Sequence, residues 1–208
     1  MNVEHYFSRN PRVESKPATV RLSLPDLELD LLTDRGVFAY GQVDRGTQVL
    51  LRTIPRPPAQ GDLLDVGCGY GAIAIALAKR SPDSRVWAVD VNERALALCE
   101  ENARGAGVDN LQAVIPDEVP GSVRFAGVYS NPPIRLGKQR LHDLLHTWLQ
   151  RLAPTGHAYL VVQRALGSDS LATWLAASGY AVHRVRSSSG YRVLEVHSAP
   201  GSDHHVGS

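Results

Sequence analysis

Apolar residues in this 208-residue chain follow two rhythms, and the change between them divides the sequence. Residues 20–24 (Val-Arg-Leu-Ser-Leu) and 27–31 (Leu-Glu-Leu-Asp-Leu) alternate apolar and polar around Pro25-Asp26. A period of two suits strands with one buried face, so this stretch predicts a small antiparallel hairpin. Asp44 is placed to cap a helix running through Leu51, and Pro55-Arg56-Pro57-Pro58-Ala59-Gln60-Gly61 stops that helix and forms a stiff linker. From Gly61 onward, short and almost wholly apolar runs alternate with helical spacing. They predict strand 62–66, helix 71–80, strand 85–90, helix 93–105, strands 111–115 and 124–130, helix 139–152 and strand 156–163. Strands with no polar face need cover on both sides, which implies an α/β fold with a largely parallel sheet between helices. After a helix over 168–178, strands 180–186 and 191–197 are joined by Ser187-Ser188-Ser189-Gly190, so the sheet should end in an antiparallel edge hairpin. The expected organisation is a cap and linker over 1–60, a main seven-stranded domain over 61–198, and a disordered Gly-, Ser- and His-rich tail over 199–208.

Composition narrows the classes. With 43% hydrophobic residues the chain can bury a full core. No apolar run approaches the roughly 18 residues of a membrane span. The first 30 residues carry Glu4, Arg9, Arg12, Glu14 and Lys16 without a signal-peptide apolar block, so a cytoplasmic protein is expected. Twenty-two Lys and Arg against 21 Asp and Glu give a net charge of +1, hence no global basic field. Basic residues instead cluster locally: Arg9, Arg12, Lys16 and Arg21; Arg135, Lys138 and Arg140; Arg184, Arg186 and Arg192. Cys68 and Cys99 fall in different predicted elements and are expected to stay reduced. The histidines lack ligand spacing, and His142 and His146, four apart on one helix face, read as solvent or partner contacts. No metal is expected.

Two segments carry chemistry. In Leu63-Leu64-Asp65-Val66-Gly67-Cys68-Gly69-Tyr70-Gly71 a strand runs into a Gly-rich turn and then an Ala-rich helix, a backbone cradle for a nucleotide-like ligand. The next strand ends in Asp90, where doubly wound folds place an acid against ribose hydroxyls. Gly67-x-Gly69-x-x-Ala72 also fits the dinucleotide pattern, but Asp65 would repel a pyrophosphate and suits an ammonium group better. A tight turn without any ligand is the third possibility. Further on, Asn131-Pro132-Pro133-Ile134 sits at a strand end. Two prolines fix φ and remove donors, so the Asn131 carboxamide and the Pro132 carbonyl can present two acceptors to one planar amine.

Asp65-x-Gly67-x-Gly69-x-Gly71 resembles the first motif of class I S-adenosylmethionine-dependent methyltransferases. Gly36-Val37-Phe38, Asn131 to Lys138 and Gly190-Tyr191-Arg192-Val193-Leu194, with His5-Tyr6-Phe7-Ser8 near the start, extend the likeness to most of the chain. An aromatic fourth residue after Asn-Pro-Pro is typical of adenine N6 and protein glutamine methyltransferases. Ile134 followed by Arg135-x-Gly137-Lys138 instead resembles ribosomal RNA guanine-N2 methyltransferases of the "methyltransferase small domain" family. The resemblance implies a Rossmann-like fold, S-adenosylmethionine as cofactor and ribosomal RNA or a ribosomal subunit as partner. It assigns Asp65, Gly67, Gly69 and Gly71 to the cofactor, Asp90 to its ribose, Val91 and Asn92 to the flanks of adenine, and Asp117 to the adenine amine. Phe38 and Thr47 would lie beside the cofactor. Asn131 and Pro132 would hold the target amine, with Pro133, Ile134, Arg135, Lys138, Tyr191 and Arg192 toward the substrate. Phe38 could equally be a core aromatic, and Tyr191 and Arg192 could simply pack or be solvated.

Family members often carry a second, degenerate copy of the domain in front. Only about 60 residues precede the sheet here, so RNA selection is expected to rest on the cap, the basic patches or a dimer partner. Adenine N6 or protein glutamine methylation shares the amine-gripping logic. A non-catalytic RNA-binding module is the alternative of another class, opposed by the joint presence of Asp65, the glycines, Asp90 and Asn131.

Overall fold

The computed structural model describes residues 13–198, so the motif at His5 and the tail at 199–208 lie outside the described residues. Strands β1 (Ala18–Leu24) and β2 (Leu27–Thr33) form the expected hairpin, with Leu24 opposite Leu27. Its inward positions Val20, Leu22, Leu29 and Leu31 are buried, while Arg21 and Asp30 pair across the outer face. Helix α1 (Arg45–Thr53) starts at Asp44, whose carboxylate accepts the Thr47 amide at 3.1 Å. It ends before Pro55, as the missing donor requires.

Seven strands follow: β3 (Gly61–Val66), β4 (Ser84–Val89), β5 (Leu111–Val114), β6 (Phe125–Ser130), β7 (Leu152–Gln163), β8 (Tyr180–Ser188) and β9 (Tyr191–Ser198). Their order is β5-β4-β3-β6-β7-β9-β8, parallel through β7 and antiparallel at β9 and β8. Helices α2 (Ala72–Arg80) and α3 (Glu93–Gly105) share one core with α1 and the hairpin. Helices α4 (Lys138–Leu149) and α5 (Ser168–Ala177) share the other. Successive strand residues feed opposite cores: Leu63 and Val86 pack with α2 and α3, whereas Leu64 and Trp87 pack with α4 and α5. Burial on both faces is the reason these strands read as continuous apolar runs.

Two expectations shift. Helix α4 stops at Leu149 instead of 152, and β7 begins at Leu152 instead of 156. Leu152 pairs with Phe125, and a register break follows before Gly127 meets His157. Pro154 and Gly156 make that irregularity: a Cβ at Gly156 would stand 2.5 Å from the Phe125 carbonyl. His142 is half-buried: its ring stacks on Trp174 of α5 with centroids 3.8 Å apart, and burial with nearby Lys138 lowers its pKa. His146 is exposed.

The chain leaves β3 toward β4 and β5, then returns to β6 on the other side of β3. The carboxyl ends of β3 and β6 therefore flank the point where the winding reverses. Open α/β sheets form their ligand crevice there.

Candidate active site

The turn after β3 is shaped by its own backbone. Gly67, Gly69 and Gly71 all have positive φ, at 73°, 54° and 94°. The amides of Gly67 and Cys68 donate to the Val89 carbonyl at 2.8 and 3.0 Å, which ties the turn to the end of β4. Asp90 completes this tie: its two oxygens accept the amides of Gly69 and Asn92, each at 2.9 Å. Burial raises its pKa, and those amides oppose the rise. A Cβ at Gly71 would lie 2.6 Å from the Cys99 Sγ, so only glycine lets α2 and α3 close at that point. On the Gly67 side no atom lies within 4 Å of where a Cβ would stand.

Asp65 lies under this turn, fully buried. Its Oδ2 accepts the Ala74 amide at 3.0 Å, and its Oδ1 has no partner. Burial, with Asp90 nearby, pushes its pKa up to about 8 against the pull of the Ala74 amide. It is not among the residues lining the cavity above the turn, and its free oxygen lies buried beneath the cradle.

That cavity is walled by Gly67, Cys68, Gly69, Tyr70 and Ile73 from the turn and α2, by Phe38, Ala39, Asp44 and Thr47 from the segment before and within α1, and by Asn131. Phe38 is 47% exposed, so it is a wall residue and not a core aromatic. Tyr70 bonds the Gln42 carbonyl at 3.1 Å and holds the two walls together. The Cys68 thiol is pushed well above its usual pKa by Cys99 and by burial, which disfavours the thiolate.

Asn131 follows β6. Its Nδ2 donates to Asp44 Oδ1 at 2.6 Å and to Thr47 Oγ1 at 3.2 Å, and its Oδ1 has no hydrogen-bond partner among the described residues. Two acceptors therefore fix which way the carboxamide faces, with the oxygen as the free acceptor. Sequence reasoning placed Asp44 only as a helix cap. No local signal links it to a residue 87 positions away; the cap and Thr47 were the only visible hints.

Other expected site residues are dispersed. Pro132 is buried, and its carbonyl accepts the Ile134 amide at 2.8 Å. Residues Ile134–Leu136 form a 3-10 turn that packs Ile134 against the core of α4 and α5, away from the cavity. Pro133 is half-buried, and Arg135 and Lys138 are exposed beyond it. Val91 stands exposed at the edge of the turn, whereas Asn92 is buried, capping α3 through Oδ1 and donating to the Gly36 carbonyl at 2.8 Å. Its side chain has no share in the cavity. Asp117 is exposed in a 3-10 turn after β5 and does not line the cavity. Tyr191 packs on the α1 side of the sheet, but Arg192, its neighbour on β9, points to the other side and pairs with Asp169 of α5. The pleat sends alternate residues to opposite faces, so only one of the two can face the α1 wall.

An adenosyl amino acid needs a glycine cradle, an acid at its ribose end and a flat apolar edge for its base. The open side of Gly67, the Asp90 carboxylate, exposed Val91 and the unsatisfied Asp65 oxygen fit that requirement. Fold and site together define a class I methyltransferase, a class whose cofactor is S-adenosylmethionine. The model of the methyltransferase small domain matches residues 28–195, and the chain belongs to that family. It is 34% identical over 195 residues to the uncharacterized protein YbxB of Bacillus subtilis, covering 92% of this chain and 97% of that protein. Ribosomal RNA small subunit methyltransferase C of Shewanella amazonensis is 32% identical over 167 residues, 78% of this chain and 48% of that protein. The chain thus spans about half the length of that relative. Among solved structures, the T. thermophilus 16S rRNA N2 G1207 methyltransferase in complex with AdoMet and guanosine aligns with a TM-score of 0.76 at 22% identity, over 91% of this chain and 52% of that one. That likeness establishes the fold. Among the described residues no helix is long and apolar enough to cross a membrane, and no metal-ligand cluster occurs.

Proposed function

We propose that this protein is an S-adenosylmethionine-dependent methyltransferase acting on the exocyclic N2 of a guanine in small-subunit ribosomal RNA. The observation that carries the reading is the Asn131 carboxamide, clamped through its nitrogen by Asp44 and Thr47 at the wall of the Gly-rich cavity. The relatives named for ribosomal RNA methylation, and exposed Arg135, Lys138 and Arg140 next to Asn131, support RNA as the substrate class.

In this reading Gly67, Gly69 and Gly71 cradle the cofactor, Asp90 accepts ribose hydroxyls and Val91 covers one face of adenine. The cap contributes Phe38, Asp44 and Thr47, so the segment around α1 and the main domain build one site together. When bound, S-adenosylmethionine supplies an electrophilic methyl on a sulfonium and leaves as S-adenosylhomocysteine. Asn131 Oδ1 and the second lone pair of the Pro132 carbonyl accept the two N2 hydrogens, which turns the nitrogen lone pair outward for in-line attack. Both acceptors then stabilise the positive charge that develops on that nitrogen. The nitrogen gains a methyl and loses one proton, which passes to water.

The test supplies S-adenosylmethionine carrying a labelled methyl, with deproteinised small-subunit RNA in one arm and isolated subunits in the other. N2-methylguanosine should form in at least one arm, and which one identifies the substrate. Label found only in N6-methyladenosine or in protein overturns the guanine reading. Failure to bind S-adenosylmethionine by calorimetry would instead favour a non-catalytic module.

A further inference from the structure

A second recess opens on the outer side of α1. Gln42, Arg45, Gln48, Gln163 and Tyr191 help to line it, and Asp44 lines both this recess and the cofactor cavity. The two spaces meet at the carboxylate that grips Asn131. Both hydrogen bonds to the Asp44 carboxylate fall on Oδ1, from the Thr47 amide and from Asn131, and Oδ2 has no hydrogen-bond partner among the described residues. A Cβ placed on Gly46 would stand 2.9 Å from Asp44 Oδ1 and 2.9 Å from Tyr191 Cε1, so ring and carboxylate are neighbours across one helical residue. Arg45 and Arg135 are exposed, and the charges of both reach the Tyr191 hydroxyl. A ring face beside an acceptor, with one cation in the lining and a second whose charge reaches the ring, is the chemistry of a nucleotide site.

Resting on the guanine reading above, we infer that this outer recess holds the target nucleoside against Tyr191, and that Asp44 is a specificity-determining residue that reads the guanine N1–H. Guanine presents N1–H and N2–H as adjacent donors. Asp44 and Asn131 are joined through Asp44 Oδ1 and Asn131 Nδ2 at 2.6 Å, which leaves one unbonded oxygen on each side chain, Asp44 Oδ2 and Asn131 Oδ1, as the acceptor for each donor. Adenine carries a lone pair at N1, which a carboxylate repels. Thr47 and Asn131 both donate to Oδ1, so the carboxylate keeps Oδ2 for a further donor.

The test compares a guanine-bearing RNA fragment with the same fragment carrying 2-aminopurine, which keeps the 2-amino group but has a lone pair at N1. Wild type should favour guanine by about 100-fold or more in kcat/KM, because a site built to accept an N–H rejects an analogue without it. Asp44→Asn keeps an oxygen for Thr47 and Asn131 and turns a donor outward, so the ratio should fall to about tenfold or below. An unchanged ratio overturns the inference. If the variant transfers no methyl, its affinity for the two fragments, followed by 2-aminopurine fluorescence and calorimetry, must show the same narrowing; an unchanged preference again overturns it. Tyr191→Ala should raise KM about tenfold with kcat held, as expected for one lost stacking surface. Guanine methylation by wild type with a ratio unmoved by Asp44→Asn defeats this inference alone. Methylation of adenine or protein in place of guanine defeats the reading beneath it as well.

Discussion

The ends of β3 and β6 lie side by side in the sheet, yet one site is made of backbone and the other of side chains held from a distance. At the β3 end, three glycines with positive φ and the amides of Gly67, Cys68 and Gly69 are fixed by Val89 and Asp90. Most of what shapes the cradle lies within one strand–helix–strand unit, with Cys99 of α3 packed against Gly71 and Gln42 tied to Tyr70. At the β6 end, Asn131 gains its orientation from Asp44 and Thr47, which precede the sheet in sequence and reach it only by folding. The backbone site is therefore robust to changes elsewhere, whereas the carboxamide depends on how α1 docks.

The sharpest way to separate the two ends is Asn131→Ala. It should lower kcat by roughly 10²–10³-fold, the usual effect of losing one group that stabilises developing charge, while calorimetric affinity for S-adenosylmethionine changes by less than about threefold. Parallel losses in both would merge the two sites into one. Asp90→Ala is the reverse probe. Loss of a charged acceptor costs about 1.5–3 kcal/mol, so cofactor binding should weaken by about tenfold to a hundredfold, with nucleoside selectivity unchanged.

Gly46→Ala tests the docking of α1. Its Cβ would press on Asp44 and Tyr191 at 2.9 Å each, so kcat/KM should fall about tenfold through misplacement of Asn131, and urea unfolding should show about 1–3 kcal/mol lost to overpacking. A smaller effect concerns Asp65. Its folded pKa is raised from 3.8 to about 8, so the unfolded chain ionises first as pH rises. The contribution of Asp65 to stability without cofactor should be fullest below pH 4 and decline as pH climbs toward 8. Asp65→Asn should remove that slope in urea midpoints taken at pH 5 and pH 8. The smallest effect should come from Arg192→Ala: its partner is Asp169, on the far side of the sheet, and methyl transfer should change by less than about threefold.

Most of the fold was legible because its signals are local. Alternation in residues 20–31 and apolar runs from Gly61 onward located the strands; the α4–β7 junction moved, where the Pro154–Gly156 irregularity lets Leu152 pair early, and β8 runs on to Ser188, two residues into the expected turn. The candidate site divided along the same line. Gly67, Gly69, Gly71, Asp90 and Asn131 fall where the strand ends placed them. Ile134, Asn92 and Arg192 do not face the cavity, since each found a partner that spacing along the chain does not reveal: the α4 and α5 core, the Gly36 carbonyl and Asp169.

By itself the sequence determined the sheet, its antiparallel edge and the glycine cradle, because dihedral freedom, strand periodicity and proline restriction act between near neighbours. Only the tertiary structure decided what Asn131 presents. A carboxamide has two ends of opposite hydrogen-bonding sense, and which end is free depends on the groups packed against it. Asp44 and Thr47, brought in by the docking of α1, take the nitrogen and leave the oxygen.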